Sequence, residues 1–101
     1  MIQVNTVEEL NKILKEKYVV GINISDWYLD RDTLEKQVEE AELKWPSIKF
    51  IEFVECPEIS EYLRISVIPT ILYWINGNLK EKQEMMTPKE VFFDKLDKLF
   101  E

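Results

Sequence analysis

At 101 residues the chain is expected to form one domain, residues 1–101, whose single core buries about two-thirds of the unfolded surface. A hydrophobic content of 46%, an aromatic content of 12% and only two glycines exclude disordered and fibrous classes, while 20 acids against 13 bases leave a net charge of -7 that repels nucleic acid and anionic membranes. With no histidine and one cysteine, Ser–His and Cys–His nucleophile systems, imidazole acid–base chemistry, thiolate zinc sites and an internal disulfide all drop out, and no cofactor or metal is expected.

No apolar run approaches the ~18 residues of a membrane span, and the N-terminus lacks a basic stretch followed by an apolar one, so a cytoplasmic location is expected. Ile2 to Val4 alternate like a short edge strand. Thr6 and Glu9 have the spacing of a capping box for a helix in which Val7, Leu10, Ile13 and Leu14 share a face, with Lys12, Lys15 and Lys17 placed in its last turns. Tyr18 to Ile24 is nearly continuous apolar sequence, the pattern of a central parallel strand covered on both sides. After Ser25 and the loop Asp26–Asp30, a helix is expected from Asp30 or Asp32 to Lys44, with Leu34, Val38, Ala41 and Trp45 facing inward and Pro46 closing it. Ile48 to Val54 reads as the third strand, and Cys56-Pro57 as the cap and first position of a third helix.

The most apolar stretch follows. From Pro69 to Ile75 the residues are almost all β-branched or aromatic, which suits a strand buried on both faces, and Asn76-Gly77 supplies the positive φ angles of a type I′ hairpin turn. A proline at the head of such a strand belongs at its first residue, and Ile68-Pro69 is the candidate for a cis bond. Leu79 to Met85 alternates in charge like an exposed edge strand. Thr87 and Glu90 suggest a second capping box, with Pro88 at the first position of a last helix whose apolar face is Val91, Phe92, Leu96, Leu99 and Phe100. The order βαβαβαββα predicts an α/β fold, a mixed central sheet with helices on both faces.

Ile68-Pro69-Thr70, four apolar residues and Asn76-Gly77 resemble the cis-proline strand and hairpin of thioredoxins. The resemblance runs back through Pro57–Ile65 and forward to the helix opened by Thr87-Pro88, covering about the whole chain. It implies a thioredoxin-like fold without that family's chemistry. Where thioredoxins carry Trp-Cys-Gly-Pro-Cys, this chain reads Trp27-Tyr28-Leu29-Asp30-Arg31. Thiol–disulfide exchange needs an attacking thiolate and a resolving thiol, and Tyr28 and Arg31 at the matching positions provide neither. The family's buried acid and the lysine facing it match Ile22 and Phe50, an apolar pair that fits a site no longer moving protons.

Two constellations could still act. The resemblance places Trp27 and Tyr28 beside Val67, Ile68 and Pro69, in a groove that in the family holds an extended peptide paired to the residue before the proline. An exposed tryptophan and tyrosine beside unpaired backbone would make a binding hot spot for a protein or peptide, and Tyr28 can both stack and hydrogen-bond. The bland reading is that Trp27 packs over the helix start. Cys56 is the second. As a monothiol it would draw thiolate character from the helix dipole, but Glu55 and Glu58 oppose that effect with comparable strength, so a small apolar filler is the preferred reading. Asp26, Asp30, Asp32, Glu35, Glu39, Glu40 and Glu42 form an acidic rim that helix spacing spreads over a solvated face rather than converging on a cation.

Overall fold

A computed structural model describes residues 1–100. Nine elements follow in chain order: β1 (Ile2–Gln3), α1 (Val7–Ile13), β2 (Tyr18–Ile24), α2 (Arg31–Lys44), β3 (Ile48–Val54), α3 (Pro57–Leu63), β4 (Thr70–Ile75), β5 (Asn78–Glu84) and α4 (Lys89–Leu99). The strands form one sheet in the order β1-β3-β2-β4-β5. β2 runs parallel to β3 but antiparallel to β4, so the central strand is the seam between the parallel and antiparallel halves rather than a purely parallel strand.

Alternation along the strands divides the core in two. Val20, Ile22, Ile24, Phe50, Ile71 and Tyr73 face α2 and α4, meeting Leu34, Val38, Ala41, Phe92 and Leu96. Val19, Ile51, Phe53, Leu72 and Trp74 face the other layer, where Leu10 of α1 and Ile59 of α3 cover them. Gly21 faces the second layer at a tight spot. A Cβ there would come within 2.8 Å of the Trp74 ring and 3.0 Å of Phe53.

Local chemistry explains most element ends. Thr6 caps α1, its hydroxyl oxygen accepting from the Glu9 amide at 3.1 Å. That helix stops at Ile13, so Lys15 and Lys17 lie beyond it and only Lys12 faces the negative end of its dipole. Asn76 and Gly77 both take positive φ, 51° and 79°, as a type I′ turn requires. The Ile68–Pro69 bond is cis.

The end of the chain departs from the sequence expectation. Pro88, not Thr87, is the N-cap of α4, and no side chain caps it. The Thr87 hydroxyl instead lies 3.5 Å from the Gln83 side-chain amide, which removes it from a capping box with Glu90. Val91 is 48% exposed, leaving Phe92, Leu96 and Phe100 as the buried face.

Candidate functional site at the C-terminal end of the central strand

Strand order builds the site. Asn23 of β2 pairs with Thr70 of β4, and Thr70 pairs with Glu84 of β5. The loop after β2, the turn before β4 and the residue after β5 therefore sit side by side at one end of the sheet. Trp27 and Tyr28 belong to that loop, Val67, Ile68 and Pro69 to that turn, and Met85 is the residue after β5.

The loop folds tightly against its helix. The Tyr28 amide donates to the Ser25 carbonyl at 3.2 Å, and the Arg31 amide donates to the Tyr28 carbonyl at 3.2 Å. Tyr28 is half-buried against the α2 side of the core. Its phenol is pushed above the ordinary range, first by burial and then by the neighbouring charge of Asp30. Tyr28 thus anchors the loop, while its neighbours point outward: Trp27 is 67% exposed and Leu29 97%. That exposure leaves little of Trp27 packed over the helix start.

The turn is fixed from beneath. Val67's carbonyl accepts from the Thr70 hydroxyl at 2.6 Å and from the Asn23 side-chain amide at 3.4 Å, and the Ser60 hydroxyl lies 3.5 Å from the Asn23 carbonyl oxygen. Pro69 is buried and its carbonyl accepts from the Met85 amide at 2.9 Å. Between these tied residues, the Ile68 amide and carbonyl make no hydrogen bond among the described residues.

The electrostatics centre on Arg31. Its guanidinium hydrogen-bonds Glu35 at 2.9 Å and Asp26, and lies 4.0 Å from Glu52 of β3. The bonds to Glu35 and then Asp26 push Arg31 further up from its already high range. Glu52 is the residue that sequence reasoning missed. It pairs in register with Ile22, on the sheet face that also carries Phe50, so a half-buried acid stands beside those apolar residues. One Glu52 oxygen is buried without a hydrogen bond, and burial raises this carboxyl against the opposing pull of Arg31. The signal available in the sequence was its position: a lone glutamate in the middle of the otherwise apolar Phe50–Val54.

Cys56 sits at the N-cap of α3, half-buried, with its Sγ donating to the Asn5 carbonyl at 3.1 Å. That bond ties it to the segment between β1 and α1, and among the described residues no hydrogen bond joins it to Trp27, Tyr28 or Ile68. Among the described residues, no cluster of His, Cys, Asp and Glu is arranged to hold a metal ion, and no helix is long and apolar enough to cross a membrane. A cavity of about 410 Å³ lined by Ile2, Glu16, Pro46 and Phe50 lies at the opposite end of β2 and β3, away from the loop and turn.

No protein-family model and no curated protein sequence matches this chain. Solved structures do. Thioredoxin from Trypanosoma brucei brucei is 20% identical with a TM-score of 0.86, over 98% of this chain and 89% of its own. Mitochondrial thioredoxin 3 from Saccharomyces cerevisiae, in its oxidized form, is 15% identical with a TM-score of 0.87, over 98% and 95%. Plasmodium falciparum thioredoxin is 17% identical with a TM-score of 0.85, over 98% and 99%. With these overlaps spanning nearly every residue, the chain has the thioredoxin-like fold, built on a sequence that holds a single cysteine.

Proposed function

We propose that the chain is a redox-inactive, non-catalytic binding module that holds an extended, partly basic segment of a protein partner across the turn Val67–Pro69. The observation that carries this reading is that one end of the sheet holds both Trp27, 67% exposed, and the Ile68 amide and carbonyl, left without partners among the described residues. Unpaired backbone offers the start of an added strand, and an exposed indole at the same end of the sheet offers the apolar anchor on which such contacts depend. The charge of the surroundings favours basic flanks on the ligand. Asp26, Asp30 and Glu84 are exposed here, and Arg31, the cation of the loop, is committed to its own acids.

Exchange chemistry has no resolving thiol to use, and a net charge of -7 opposes nucleic-acid or membrane partners. A cytoplasmic location belongs to the same proposal. A monothiol role for Cys56 has less support, because the thiol is half-buried and already bonded to the Asn5 carbonyl.

The test is selection of extended peptides from a displayed library, followed by affinity measurement on Trp27→Ala and Ile68→Asp. Both variants should retain the wild-type unfolding temperature to within a few degrees and lose about tenfold or more in affinity. Wild-type affinity in both variants would rule the groove out.

A further inference from the structure

We propose that Met85 is a sulfoxidation site through which a hydroperoxide weakens ligand binding in the groove, an inference that rests on the binding role proposed above. Three observations single it out. Met85 takes a φ of 77°, in the left-handed region that costs any residue with a Cβ and that glycine fills without penalty. Its backbone is clamped there at both ends: the amide donates to the Pro69 carbonyl at 2.9 Å, and the carbonyl accepts from the Gln83 side-chain amide at 3.0 Å. The side chain wins no core packing in return, being 52% exposed.

Gln83 is itself buried and held, accepting from the Tyr73 hydroxyl at 3.0 Å and from Lys95 at 2.8 Å. A network rooted in the core thus holds an exposed methionine with its backbone bonded to Pro69, at the end of the sheet that carries the turn Val67–Pro69. The other two methionines are internal controls. Met1 and Met86 are partly buried against the α2 side of the core, whereas Met85 is exposed.

The chemistry is a two-electron oxygen transfer. The Met85 sulfur lone pair attacks the protonated peroxide oxygen, the O–O bond breaks as the S–O bond forms, and the other oxygen takes the proton that the attacked oxygen gives up, leaving as water from hydrogen peroxide or as the alcohol from an organic hydroperoxide. The thioether is oxidised and the peroxide reduced. A flexible apolar side chain becomes a polar sulfoxide, unsuited to contact with an apolar ligand side chain.

Hydrogen peroxide treatment with peptide mapping by mass spectrometry tests the first half. Met85 should gain oxygen at least about tenfold faster than Met86 in the native protein, and the two rates should converge in the urea-unfolded chain. Equal native rates would overturn the proposal. For the second half, a peptide selected on the untreated protein should bind the sulfoxide form about three- to tenfold more weakly. Whatever affinity Met85→Leu starts from, peroxide should leave that affinity unchanged. Unchanged binding after complete Met85 oxidation would overturn the gating while leaving the groove intact. A selected peptide insensitive to Trp27→Ala and Ile68→Asp would instead remove the groove reading itself.

Discussion

Arg31 stands within 4.0 Å of Glu52, joining the first turn of α2 to the middle of β3 through an arginine that also holds Asp26 and Glu35. One side chain thereby ties the loop carrying Trp27 to its helix and to the sheet. Glu52 gains only part of the compensation its burial requires, since its carboxyl stays raised and one oxygen stays unbonded.

The sign of the pH dependence follows. A carboxyl raised on folding keeps its proton more tightly in the folded state, so its penalty is absent at acid pH and grows as pH rises through the folded value. Glu52→Gln should match the wild type below about pH 4 and exceed it at pH 7 by up to about 1 kcal/mol, or some 4–8 °C in Tm. Arg31→Met should show the reverse, losing about 1–3 kcal/mol at neutral pH by leaving Glu52 uncompensated, with the loss shrinking towards pH 4. Thermal unfolding across that range checks both.

Gln83 is the polar pin of the α4 side of the core. Replacing it with leucine strands the buried Tyr73 hydroxyl, whose titration is pushed far upward by burial and then by Glu81. Gln83→Leu should cost about 1–3 kcal/mol in urea unfolding. Combining it with Tyr73→Phe should recover part of that loss, because the donor and the acceptor are then removed together.

Gly21 answers to space rather than to backbone freedom. Gly21→Ala places a methyl 2.8 Å from the Trp74 ring and 3.0 Å from Phe53, and both rings are buried. The cost should be about 1–3 kcal/mol, read as a lower urea midpoint with an unchanged slope.

Much of the fold was legible because its signals are local. Tyr18–Ile24 and Ile48–Val54 run as strands over the bounds their apolar, β-branched character suggests, and Asn76-Gly77 makes the turn its composition demands. What escaped is set by tertiary partners. Thr87 and Glu90 have the spacing of a capping box, yet Thr87 lies beside Gln83 and Pro88 takes the cap. Nothing in the sequence around Met85 announces a positive φ, because the clamp consists of Pro69 and Gln83, the first far away in the chain. Tyr28 is named correctly as a residue of the loop but turns inward as its anchor, leaving the outward role to Trp27 and Leu29. The burial of Glu52 depends on α2 crossing its face of the sheet, which residue pattern alone does not specify.

The most direct test of the central claim is an NMR titration of the isotope-labelled protein with a peptide selected against it. The account predicts that the Trp27 indole, the Ile68 amide and the Met85 amide shift together and saturate with one affinity, with little change at the far end of the sheet. Shifts confined to Pro46–Phe50, or to Asn5 and Cys56, with Trp27 and Ile68 unmoved, would contradict it.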